Sequence, residues 1–153
     1  MYNVVVQRGL IKWTVLVLCV VVLFTGCERI LKVSLDGKNP PTFQFDGSGE
    51  IVWVSIYEVT SEGKIPPKGS AFWRLVPETS ITASASPPIT YGVVPNGFVQ
   101  EVPANGNPPP LQEGKTYGFG ADTRGQPGRT VWFRIYDGKS IQVPKTDPPG
   151  KPY

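Results

Sequence analysis

Two patterns divide the chain. From Trp13 to Phe24 apolar residues run almost unbroken, with only Thr14 polar. From Leu31 onward they come in short runs, most of them alternating with polar residues. The first run is shorter than the roughly 20 residues that a membrane-spanning helix needs. Lys12 stops it upstream, and Glu28 and Arg29 stop it downstream. The later alternation, at period two, marks strands with one buried face.

The pattern predicts strands at Ile30–Leu35 and Thr42–Phe45, separated by Asp36-Gly37 and Asn39-Pro40-Pro41. Asp46-Gly47-Ser48-Gly49 reads as a hairpin turn. Its alternating oxygens at Asp46, Ser48 and Glu50 resemble a calcium loop, but the further ligands of such a loop are missing. Ile51–Val59 is the clearest strand, apolar on both faces and therefore central. Ala71–Val76 follows and ends at Pro77. Ile89–Val94 and Phe98–Val102 flank the turn Pro95-Asn96-Gly97, and Pro87, Pro88, Pro95 and Pro103 confine both to sheet edges. Glu78–Ser86 reads as a surface loop or a weak edge strand. Asn105–Pro110 reads as a stiff connector; a ligand for a proline-reading domain is the alternative. Thr130–Tyr136 is the last long strand. Asp137-Gly138 is a two-residue hairpin signal that folds Lys139–Val143 back onto it.

Composition narrows the chemistry. There is no His, which removes the commonest general base and metal ligand. The two cysteines are Cys19 and Cys27. All 17 Pro lie after Cys27, which leaves little room for long helices. A Ser/Thr run at Thr79–Ser86 has no histidine to activate it, and a Ser–Lys pair has no supporting motif.

The first residues carry an address. Arg8 and Lys12 precede the apolar run with no acidic residue among them, and the run ends in Leu23-Phe24-Thr25-Gly26-Cys27. This resembles the leader of bacterial lipoproteins processed by signal peptidase II, in which small residues precede an invariant Cys. Phe24 stands where Leu is usual, and Leu23 is one place early. The resemblance covers residues 1–27. It implies cleavage between Gly26 and Cys27, and a diacylglycerol and an acyl chain such as palmitate on Cys27. Several acyl chains hold a protein to a bilayer where one holds it only marginally. The alternative is an uncleaved signal anchor. Glu28, where Asp favours inner-membrane retention in Gram-negative families, points to outer-membrane sorting.

Cleavage after Gly26 leaves 127 of the 153 residues, one domain in size. Cys19 leaves with the leader, so that domain has no disulfide. Arg8 and Lys12 leave too, so 13 basic side chains face 12 acidic ones. A balanced charge gives no electrostatic case for nucleic acid. The expected organisation is a signal peptide at 1–26, a lipidated tether at 27–29, a β-domain at 30–143 and a disordered Pro-rich tail at 144–153.

Leu111, Gly114 and Tyr117 carry a second resemblance, to the E–F corner of fibronectin type III and immunoglobulin-like sandwiches. There a Leu, a turn Gly and a Tyr six places after the Leu build a buried tyrosine corner. Glu113 stands where the family usually has Pro. The resemblance covers about 15 residues, up to Asp122, and implies an all-β antiparallel sandwich with Tyr117, Phe119 and Ala121 pointing inward. The strands at Ile51–Val59, Tyr117–Ala121 and Thr130–Tyr136 would then be neighbours, the second in the middle. Val52, Val54, Ile56, Tyr117, Phe119, Val131, Phe133 and Ile135 would face in.

Facing out would be Trp53 and Tyr57, then Gly118 and Gly120, then Trp132, Arg134 and Tyr136. This is a glycine floor between aromatic walls. One reading is a shallow trough for a sugar chain or peptide. The other is aromatics packing over the glycines with no ligand. A strict two-residue turn at Asp137-Gly138 would add Ile141 and Val143 to the patch. The function expected is a non-catalytic binding or structural module, without cofactor beyond the lipid, meeting a protein or glycan in the cell envelope. An immunity-type lipoprotein that blocks a periplasmic toxin is an alternative. A glycan hydrolase using two carboxylates is another, and it lacks a motif.

Overall fold

The computed structural model describes residues 30–59 and 70–144. The expected leader with Gly26 and Cys27, residues 60–69 and the expected tail from 145 lie outside them. Nine strands run in order among the described residues: β1 Lys32–Leu35, β2 Thr42–Asp46, β3 Glu50–Glu58, β4 Trp73–Pro77, β5 Ile89–Thr90, β6 Phe98–Val102, β7 Thr116–Arg124, β8 Arg129–Tyr136 and β9 Lys139–Gln142. They form two antiparallel sheets, β1-β2-β5 and β6-β4-β3-β7-β8-β9. The fold is an all-β antiparallel sandwich of the immunoglobulin-like and fibronectin type III-like kind. β7 lies between β3 and β8, as the sandwich reading requires.

Aromatic rings join the layers. Phe43 on β2 lies flat on Phe119 of β7, centroids 3.8 Å apart, and meets Phe133 of β8 edge-on at 5.4 Å. Trp73 on β4 is fully buried and meets Tyr91 at 5.2 Å. Its indole N–H donates to Gln100 Oε1 at 3.0 Å, which gives the buried polar group of the ring a partner. Val54, Ile56, Tyr117, Phe119, Ala121, Val131, Phe133 and Ile135 are all buried.

Val52 departs from that set and is 39% exposed. The β3–β7 register slips between Ile51 and Trp53, so Val52 is the extra residue of a bulge. Ile51 takes the inward place and is 3% exposed. The segment Glu78–Ser86 also differs from a surface loop. Ile81 packs on the core, Ala83 is fully buried in a 3-10 turn at Ala83–Ala85, and Thr82 bridges Glu50. A Ser/Thr-rich run offered no periodicity to reveal two such anchors. Ile89–Val94 shortens to Ile89–Thr90 in one sheet while Phe98–Val102 joins the other; each is an edge.

The corner at Leu111–Tyr117 has the geometry its spacing implied. Tyr117 is buried, and its hydroxyl oxygen accepts a hydrogen bond from the Gln112 N–H at 2.8 Å. Gly114 has φ 78°, a left-handed turn that favours glycine. Tyr117→Phe strands the Gln112 N–H and should cost about 1–3 kcal/mol in chemical denaturation. Phe43→Ala, which removes the inter-sheet stack, should cost about 3–5 kcal/mol.

Candidate binding face

The outer face of the six-stranded sheet carries the predicted ligand residues. The pairings Tyr57↔Gly118 and Gly118↔Trp132 put all three in one row across β3, β7 and β8. Val143 extends the row, because its N–H bonds Trp132 O at 2.8 Å. One row on, Thr116 pairs Arg134, and Arg134 pairs Ile141. Tyr136 pairs Lys139, so the Asp137-Gly138 turn is a strict two-residue hairpin. Both turn residues have positive φ, 51° and 66°, as a type I′ turn demands.

The glycine floor is covered. A Cβ built on Gly118 would lie 2.4 Å from Tyr57 Cε2, so the Tyr57 ring rests on the Gly118 backbone. At Gly120 the same test finds Trp53 at 3.5 Å and Tyr57 at 3.6 Å. Burial pushes the Tyr57 pKa above the usual tyrosine value, against the opposing effect of the Thr130 side chain across the sheet. Tyr57, Val59, Trp132 and Val143 form a second buried apolar cluster, on the outside of the sheet.

Of the five predicted ligand residues, Tyr57, Trp132 and Arg134 are therefore buried, the last at 3% exposure. Arg134 Nε donates to Thr116 Oγ1 at 3.1 Å. Trp53 is half-buried and Tyr136 is 43% exposed. These two are about eight residues apart in register along β7, or about 25 Å, so one small ligand does not span them.

What surrounds Trp53 was not foreseen. The Arg74 guanidinium on β4 stands over its ring, 5.5 Å from the centroid, a cation–π contact. Arg74 also reaches Glu101 at 3.8 Å. Val76 is paired with Val99, which is 41% exposed, and the exposed Val52 adjoins Trp53 in sequence. The signal was present as one Arg within an apolar strand, Ala71–Val76. The strand pairing that brings it to Trp53 was not.

Among the described residues no group of His, Cys, Asp and Glu is placed to hold a metal ion. Comparison of the chain with protein-family models, with curated proteins and with solved structures finds no match.

Gly118→Ala should destabilise the fold by about 1–3 kcal/mol, because the Tyr57 ring has to move. Pairing it with Tyr57→Ala in a double-mutant cycle should recover most of the steric part. Strictly additive losses would show that the ring does not bear on Gly118.

Proposed function

We propose that this protein is a lipid-anchored module of a bacterial cell envelope that acts by binding and not by catalysis. The observation that carries the reading is the ordered leader: Arg8 and Lys12, the apolar run Trp13 to Phe24, then Thr25-Gly26-Cys27. Acyl chains on Cys27 hold the chain to the bilayer. Cys27 lies three positions before Ile30, where the described domain begins, and such a tether reaches about 10 Å when extended. The sandwich thus stands close to the membrane, and Glu28 favours the outer membrane where there are two.

The partner is an envelope protein or glycan. On the outer face, the surface open to it is the Trp53 end, where the Arg74 guanidinium stands over the ring and Val52 and Val99 are exposed. Aromatic and arginine side chains of this kind are enriched where proteins bind.

Intact mass of the protein extracted from membranes tests the anchor. A species that starts at Cys27 and carries acyl mass is expected, and Cys27→Ala should leave it unacylated. An unmodified chain starting at Met1 would overturn the reading.

A further inference from the structure

β1 is one edge of the three-stranded sheet, and its backbone groups alternate in direction. The Asp36 N–H donates to Thr42 O, on the register that also pairs Ser34 with Gln44 and Lys32 with Asp46. Even-numbered residues of β1 therefore turn their N–H and C=O toward β2, and odd-numbered ones turn away. The Leu31 carbonyl obeys this rule. It accepts from Arg129 Nε at 3.2 Å, on the side away from β2. Val33, in the body of β1, is left with an N–H and a C=O aimed off the edge, and neither has a partner among the described residues. An unpaired edge of this kind is a template for another strand.

A groove of about 580 Å³ runs along this edge. Leu31, Val33, Phe45 and Val131 give it an apolar wall; Lys32 and Arg129 stand beside them, and Asp46, paired with Lys32 across β1 and β2, is the one acidic residue of the lining. Lys32 is exposed and makes no ion pair among the described residues.

We propose that β1 takes up an extended strand of a partner protein, antiparallel to it, with an acidic residue opposite Lys32 and apolar residues opposite Val33 and Leu31. The register dictates that order. The residue opposite Val33 exchanges two backbone hydrogen bonds with it and points to the same face, the groove, where an apolar side chain is covered. Its neighbour opposite Lys32 points outward, where a carboxylate meets the ammonium across the pair. Along the partner the order is polar, apolar, acidic, apolar, facing Ser34, Val33, Lys32 and Leu31 in turn. Backbone bonds supply the affinity and alternate side chains the selectivity. Leu31 O, already held by Arg129, marks the end of the pairing window.

The test uses the full chain in detergent micelles and the synthetic peptide acetyl-Thr-Val-Glu-Val-Thr-amide. Amide hydrogen exchange at Val33 is the readout. At a peptide concentration about ten times its Kd, exchange at Val33 should slow about tenfold. The Thr-Val-Lys-Val-Thr peptide should protect far less, and Lys32→Glu should reverse the preference between the two. Val33→Pro removes the donor at an edge position that tolerates proline, and should abolish binding of the Thr-Val-Glu-Val-Thr peptide, read by fluorescence anisotropy of a labelled copy because this variant has no amide proton at position 33. If that variant fails to fold, the Lys32→Glu reversal decides alone. No protection, or equal protection by both peptides, would overturn the proposal. So would a Val33 amide already protected in the free chain and exposed by truncation after Pro144, since the chain's own residues would then cover the edge.

Discussion

The flat stack of Phe43 on Phe119 is the contact on which the rest of the sandwich depends. Residues 30–144 contain no cysteine, so no disulfide joins the two sheets. Their union rests on buried apolar area, and the stack sits at its centre. Phe43 belongs to the middle strand of the small sheet and Phe119 to an inner strand of the large one. Phe133 closes on the same ring from β8. A three-stranded sheet needs such a hydrophobic partner to be stable. The tyrosine corner and the buried Trp73 then set the two flanks, through Phe72 and Tyr91, whose rings lie edge-on between them.

Around this core, long Gly- and Pro-rich loops are located by single polar contacts. Asp36 Oδ1 accepts from the N–H groups of Lys38 and Thr42 and so closes the β1–β2 connection. Backbone bonds outweigh burial there and hold its carboxyl below the usual range. Ser140 Oγ donates to Lys38 O at 2.6 Å, which fastens the last hairpin onto the same loop. Gln100 holds Trp73 with its oxygen and the carbonyls of Pro103 and Gly106 with its nitrogen. Tyr91 donates to Pro109 O, and burial pushes its pKa up. Each contact replaces hydrogen bonds to water that an ordered loop would otherwise lose.

The outside of the large sheet behaves as a second interior. Tyr57 fills the space over Gly118, and Trp132 and Val143 lie within the same cluster. A side chain that turns away from the core is thus still buried, and its aromatic surface is already used. What this face leaves open lies at its border, where Arg74 covers Trp53; elsewhere the open element is the edge of β1.

The sequence by itself determined the elements whose cause is local. Period-two alternation placed the strands, and Asp137-Gly138 specified the hairpin. The resemblance of Leu111, Gly114 and Tyr117 to the corner of immunoglobulin-like sandwiches implied a buried Tyr117, whose hydroxyl the structure pairs with Gln112, and implied the order of β3, β7 and β8. Other features were decided only by tertiary structure, and each involves residues distant in sequence. Val52 turned outward because β3 is apolar on both faces, so alternation could not choose a face and pairing with β7 imposed the bulge. Tyr57 closed the glycine floor because Gly118, 61 positions away, has no Cβ to hold the ring off. Arg74 met Trp53 only once β4 had paired with β3. The division of β5 and β6 between the two sheets depended on which edge each could reach. A local pattern records what a residue needs from its neighbours in the chain. It does not record which distant strand will supply the rest.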